Sequence, residues 1–133
     1  MAKVWMRMGV ALCVVGGVYW FAAAPAHALK DFKDQFEAKY VKTDSKNPAD
    51  LALSAAVQEA KCNICHVGKT KKKRNAYGAE LAKLIKKTDK DNIAKIRAAL
   101  DKVAAMKSDA KDSQAPTFGS LIQHGKLPAG NTK

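Results

Sequence analysis

The feature that most constrains this chain is the run Cys62-Asn63-Ile64-Cys65-His66, in which two thiols three positions apart are followed at once by an imidazole. All three side chains lie on one short segment, so a single ligand can reach them together. The full chain has 133 residues and one further cysteine, Cys13. The rest of a small chain must therefore fold around whatever this segment binds.

Three interpretations of the cysteine pair compete. A zinc site needs four ligands, and the sequence has no second cysteine pair or His-x-x-x-His group. A thioredoxin-like dithiol would follow a strand in a βαβ unit, whereas no strand-like alternation surrounds the pair. Covalent attachment of a c-type haem also accounts for the histidine, because Cys62 and Cys65 form thioethers with the haem vinyl groups and His66 ligates the iron from the proximal side. The sequence therefore predicts one covalent haem c.

Residues 1–28 are typical of a secretory signal peptide. A positive region with Lys3 and Arg7 precedes an uncharged apolar stretch of about 17 residues and an Ala-His-Ala cleavage site. We expect cleavage to remove Cys13 and to leave one mature domain, residues 29–133, in the periplasm or an equivalent extracytoplasmic compartment. The alternative is a retained membrane anchor, since the apolar stretch lies at the short end of a spanning helix.

Positive charge is the next informative property. The chain has 24 Lys and Arg against 12 Asp and Glu, and removal of Lys3 and Arg7 leaves a net charge of +10. Such a field governs partners and association rate rather than the fold. Export and a haem argue against nucleic acid as the partner and favour acidic redox proteins or membrane redox complexes.

A basic run beside the motif consists of Lys69, Lys71, Lys72, Lys73 and Arg74. Because it begins three residues after His66, it must lie near the haem in space. We expect it to be a docking surface that steers acidic partners towards the haem edge. The alternative is a solvated loop, which is the usual role of a charge run.

Apolar spacing predicts an all-α fold in one domain. An aromatic ridge at i, i+4 and i+8 predicts a first helix over residues 31–41. The ridge consists of Phe32, Phe36 and Tyr40. A second helix should begin near Pro48 and deliver Cys62 near its end. Further helices are expected over 77–87, from 93 to about 106 or 107, and briefly after Thr117.

Finer expectations concern the helix faces and the connections. Leu51 and Ala55 are expected to face inward on the second helix, together with Leu53 and Val57 as further candidates. Residues 67–75 are expected to form a loop. The tail from Leu127 and Pro128 onward is expected to be frayed.

The motif resembles that of small monohaem c-type cytochromes of the class I group. Cys62, Cys65 and His66 carry the resemblance, and residues 74–78, Arg-Asn-Ala-Tyr-Gly, are similar to an Asn-x-aromatic-Gly element of some bacterial monohaem proteins. The resemblance implies a small helical domain wrapped around one covalent haem, with a role in electron transfer. Two features depart from that group: two helices precede the motif, and no Pro-flanked methionine loop is evident.

Whether a side chain occupies the sixth coordination position of the iron distinguishes electron carriers from haems that bind gases. Met106 could ligate the iron through its thioether, or could be a core methionine on an apolar helix face. His124 could form a bis-histidine haem, or could lie exposed at a helix end. Tyr77 and the lysines rank below both. If none of these side chains reaches the iron, the position stays open.

The sequence therefore predicts an exported one-electron carrier in which the haem iron alternates between ferric and ferrous states, with Met106 as first choice opposite His66. The alternative is a haem protein that binds nitric oxide or carbon monoxide, or a haem subunit of a larger redox complex. A haem enzyme such as a peroxidase ranks last, because no distal Arg-His pair is evident. We expect no enzymatic activity, since no residue set indicates a small-molecule substrate.

Overall fold

Five α-helices and one short hairpin form the part of the chain that this computed structural model describes, residues 30–69 and 71–130. The helices are α1 (Lys30–Tyr40), α2 (Pro48–Ala60), α3 (Ala76–Leu84), α4 (Ile93–Ala104) and α5 (Phe118–Gln123). Short 3-10 turns cover Lys61–Ile64 and Lys87–Asp89. The prediction of a mostly helical fold is confirmed. The signal peptide predicted over residues 1–28 lies outside the described part.

Local sequence explains where most of these helices begin. Asn47 accepts a hydrogen bond from the Ala49 N–H at 2.9 Å, and Pro48 occupies the first helical position of α2. Asn92 caps α4 in the same way, accepting from the Lys95 N–H at 3.0 Å. None of the described helices is long and apolar enough to cross a membrane.

The core is one cluster of apolar side chains drawn from all five helices. Tyr77 lies at its centre, with ring centroids 5.9 Å from Phe36 and 5.3 Å from Phe118 in edge-to-face geometry. The other buried members are Leu53, Val57, Ile64, Leu81, Ile85, Ile96, Ala99, Leu100, Val103, Ile122 and Leu127. This core joins α1 and α5 through α3, the helix that follows the motif.

A two-stranded antiparallel hairpin, β1 (His66–Val67) and β2 (Lys73–Arg74), replaces part of the loop expected over residues 67–75. His66 is paired with Arg74 across the hairpin. Two residues per strand are too few to give a periodic apolar pattern, so sequence spacing could not reveal them. The basic run therefore forms one strand and the tip of a hairpin rather than a free loop.

The helix bounds and one helix face also differ from expectation. On α2 the buried residues are Leu53 and Val57, whereas Leu51 is 50% exposed and Ala55 is exposed. A single i, i+4 stripe is enough to cover the core here, so the second expected stripe lies in water. Helix α4 ends at Ala104, earlier than the expected 106 or 107.

The expectation of a frayed tail is wrong at its start. Leu127 is 6% exposed, and Pro128 is among the fully buried side chains. The chain reverses at Gly125, whose φ is +74°, and the Lys126 N–H then donates to the Leu121 carbonyl at 2.9 Å. A Cβ at Gly125 would lie 2.6 Å from the Ala49 carbonyl oxygen, so glycine lets this turn approach α2 and brings the tail into the core.

Candidate functional site

A cavity of about 330 Å³ lies beside the Cys62–His66 segment, and we call it the motif cavity. Cys62, Cys65 and His66 all line it. Its apolar walls come from α1, the first 3-10 turn, and α3 with the residue that follows it: Phe32, Ile64, Leu81, Ala82 and Ile85. The three residues of the motif therefore face one largely apolar space.

The motif enters this space through a sharp change of chain direction at Lys61. This residue has φ +52° and ψ −110°, a conformation that L-residues rarely adopt. It ends α2 and begins the 3-10 turn, in which the Cys65 N–H donates to the Cys62 carbonyl at 3.3 Å. The expected delivery of Cys62 at the end of the second helix is confirmed.

Asn75 ties the motif to the start of α3 and is buried, with 8% of its surface exposed. Its side-chain amide donates to the Asn63 carbonyl at 3.1 Å and to the Ile64 carbonyl at 3.0 Å. Its side-chain oxygen accepts from the Gly78 N–H at 2.9 Å, and its backbone N–H donates to the Cys65 carbonyl at 3.1 Å. One side chain thus joins the end of the 3-10 turn to the beginning of α3.

Gly78 allows α3 to lie directly on the motif. A Cβ at this position would overlap the Cys65 carbonyl oxygen, which is backbone and cannot move away as a flexible side chain would. Glycine is therefore required for this approach. The Asn-x-aromatic-Gly element of the sequence supplies both contacts, Asn75 at one end and Gly78 at the other.

The two thiols are not joined in a disulfide. Burial, and then the neighbouring Cys62 thiol, raises the pKa of Cys65 to about 12. Cysteines of thioredoxin-like dithiols are activated by a lowered pKa, so the surroundings of Cys65 differ from theirs. Among the residues described, no group of three or more His, Cys, Asp and Glu side chains is arranged to hold a metal ion by itself.

His66 begins β1 and is partly buried. Its Nδ1 atom is buried and has no hydrogen-bond partner within residues 30–69 and 71–130. A buried polar atom without a partner costs about 1–3 kcal/mol. The imidazole is thus held by packing and by the pairing of its backbone with Arg74, and one of its nitrogens has a coordination or hydrogen-bonding capacity that the described residues do not use.

Basic side chains surround the motif cavity, and no acidic side chain of the described residues lines it. They are Lys33, Lys61, Lys71, Arg74, Lys86 and Lys87. Only Lys71 and Arg74 belong to the run identified in the sequence. The remaining members of that run, Lys69, Lys72 and Lys73, are exposed on the same hairpin and do not line the cavity.

Sequence reasoning missed the four other lysines because three come from segments distant in the chain. Lys33 lies on α1 and forms an ion pair with Glu37, while Lys86 and Lys87 follow α3. Lys61 directly precedes the motif, and that adjacency was an available signal. Asn75 was also missed as a contact to the motif, although an asparagine two residues before an expected helix is a recognisable cap.

The two residues predicted for the sixth iron position, Met106 and His124, do not line the motif cavity. Met106 is 37% exposed after the end of α4, where its carbonyl accepts from the Phe118 N–H at 3.0 Å. His124 is exposed at the end of α5, with Nδ1 2.7 Å from the Ser120 carbonyl oxygen. The structure brings neither residue together with His66. The alternative of Met106 as a buried core methionine is wrong.

No protein-family model, curated protein or solved structure matches this chain. The functional interpretation therefore depends on the residues and geometry of the motif cavity. The family resemblance drawn from the sequence stays a prediction.

Proposed function

We propose that this protein is an exported monohaem c-type cytochrome that carries single electrons between redox partners. The observation that supports it most directly is the convergence of Cys62, Cys65 and His66 on one cavity with apolar walls. A haem bound there supplies an iron that alternates between the ferric and ferrous states. Electron transfer of this kind needs a held cofactor and a partner surface, and the described residues offer candidates for both.

The residues of the cavity suit a covalent haem. Cys62 and Cys65 would hold the group through thioethers, and the His66 imidazole would ligate the iron. Phe32 and Leu81 contribute apolar walls that would keep water from a bound haem. A dry, fixed environment reduces the reorganisation that accompanies a change of charge at the site.

The basic side chains would serve two purposes. Those that line the cavity, such as Arg74 and Lys86, can pair with the carboxylates that a haem carries. The exposed lysines of the hairpin, such as Lys72 and Lys73, extend the positive surface outward. We infer that the partner is an acidic redox protein or a membrane redox complex, met in the extracytoplasmic space after export.

The first experiment tests for the haem itself. The full chain is produced in a bacterial host that exports and matures c-type cytochromes, and the purified protein is denatured in acid and solvent. Haem absorbance that stays with the polypeptide is expected for the wild type and is lost when Cys62 and Cys65 are both replaced by alanine. A wild-type chain that carries no covalent haem contradicts the proposal.

A second experiment tests the docking surface through matched charge reversals. Lys72→Glu on the hairpin and Lys102→Glu on α4 change the net charge equally, and both side chains are exposed. We expect the rate of electron transfer to an acidic partner to fall more for the hairpin variant, and the wild-type rate to fall as salt increases. Equal rates for the two variants would refute docking through the hairpin.

A second candidate function is reversible binding of a small gas by the same haem. It is favoured by the lining of the motif cavity, in which the described residues include neither a methionine nor a second histidine. Absorption spectra with and without carbon monoxide distinguish the two functions. Spectra that do not change when carbon monoxide is added support the electron carrier. In that case, loss of a ligand signature in Met106→Ala or His124→Ala identifies the sixth ligand. A large shift with the gas favours gas binding.

A further inference from the structure

We propose that Asn75 is the positioning residue of the motif: its side chain holds the Cys62–His66 backbone so that both thiols and the imidazole face the motif cavity. The proposal rests on the proposed haem function for its consequence but not for its geometry. Three hydrogen bonds of 2.9–3.1 Å from one buried side chain support it, together with a fourth from its backbone N–H.

The two carbonyls that accept hydrogen bonds from Asn75 have no donor within their own turn. Asn63 and Ile64 lie at the end of the first 3-10 turn, where carbonyl groups have no acceptor role within the turn and need a partner from outside. The Asn75 amide donates to both, at 3.1 and 3.0 Å. These carbonyls belong to the two residues between the cysteines, so the amide controls how the two thiols are oriented relative to each other.

The side-chain oxygen of Asn75 connects the motif to helix α3. The Asn75 oxygen accepts from the Gly78 N–H and thereby caps α3, whose Tyr77 ring is fully buried at the centre of the core. The Asn75 side chain thus attaches the motif to a helix that is anchored in the buried core. Gly78 completes the contact by allowing α3 to touch the Cys65 backbone.

The proposal separates two functions of one side chain, and Asn75→Asp separates them experimentally. A carboxylate still accepts from the Gly78 N–H and remains a good cap, but it cannot donate to the Asn63 and Ile64 carbonyls. The matched control is Asn92→Asp, the same chemical change at the cap of α4, whose side chain contacts Lys95 and not the motif.

Hydrogen–deuterium exchange of the full haem-loaded chain is the first measurement. We expect exchange in residues 62–66 to become about five- to 150-fold faster in Asn75→Asp, as for the loss of two ordinary hydrogen bonds, with no such change in Asn92→Asp. Exchange within twofold of the wild type, or equal effects of the two variants, would overturn the proposal.

A second readout excludes a merely structural role. The reduction potential and the haem absorption spectrum should shift in Asn75→Asp and stay at the wild-type values in Asn92→Asp. Lowering the pH should partly restore protection in Asn75→Asp, because a protonated carboxyl group can again donate one hydrogen bond. Shifts of equal size in the reduction potential or spectrum of both variants would count against a positioning role for Asn75. Exchange protection in Asn75→Asp that does not change with pH would also count against it.

Two further measurements test the role of Asn75 if the first variant does not fold or if the chain carries no haem. If Asn75→Asp does not fold, Asn75→Ser retains a capping hydroxyl that is too short to reach the two carbonyls, and the same exchange pattern is expected. If the wild-type chain carries no haem, the proposed function fails while the exchange comparison on the same full chain still decides the role of Asn75.

Discussion

Removing one hydroxyl group from the centre of the core should stabilise this protein. The Tyr77 hydroxyl is buried and has no hydrogen-bond partner in the part of the chain that the structure describes, while its ring is held between Phe36 and Phe118. Tyr77→Phe keeps the ring and removes the unsatisfied group. A buried polar group without a partner costs about 1–3 kcal/mol, so we expect the free energy of unfolding to rise by about 1 kcal/mol or more.

The matched control is Tyr40→Phe. The Tyr40 hydroxyl donates to the Leu100 carbonyl at 3.3 Å, and this bond joins α1 to α4. Its loss should lower the free energy of unfolding by about 0.5–1 kcal/mol, because the bond is long and only partly buried. The two variants remove the same atom from the same residue type, and the structure predicts effects of opposite sign.

Urea unfolding followed by circular dichroism measures both variants against the wild type. For a domain of this size, 1 kcal/mol corresponds to a shift of about 4–8 °C in Tm, so thermal unfolding provides an independent check. A decrease of 1 kcal/mol or more in Tyr77→Phe would refute the reasoning, since it would mean that the hydroxyl has a partner in solution.

Three other predictions follow from single residues. Lys61→Gly should raise the free energy of unfolding by about 1 kcal/mol in urea titrations, because glycine adopts the φ of +52° without strain; a loss of stability would count against strain at this position. Burial, followed by the charge of Asp101, raises the pKa of Tyr40 from 10.0 to about 12, so its neutral form contributes stability that is complete below pH 10 and is lost as the pH rises to about 12. Unfolding measured across this range should show a larger loss in the wild type than in Tyr40→Phe. The Lys95 side chain, and then the Lys86 N–H, lowers the pKa of Asp89, so Lys95→Ala should raise that pKa towards its ordinary value in NMR titrations, and an unchanged value would contradict the contact.

Local patterns predicted much of the secondary structure. The helix expected over residues 31–41 is observed as α1, and the helices expected near Pro48 and after Thr117 are observed as α2 and α5. These features depend on residues within one or two helical turns, where spacing and side-chain chemistry act directly. The hairpin was not predictable in this way, because the backbone pairing of His66 with Arg74 leaves no periodic trace in four strand residues.

The same distinction between local sequence and tertiary packing applies to the candidate site. The sequence by itself determined that two thiols and an imidazole lie together, because Cys62, Cys65 and His66 are within five positions. Only the tertiary structure decided which distant residues join them, among them Lys33 from α1 and the amide of Asn75. It also decided that Met106 and His124 lie away from the cavity, and that Leu127 is buried in the core. Short-range spacing is set by the covalent chain, whereas convergence in space depends on how all the apolar faces pack at once, and no single segment encodes that packing.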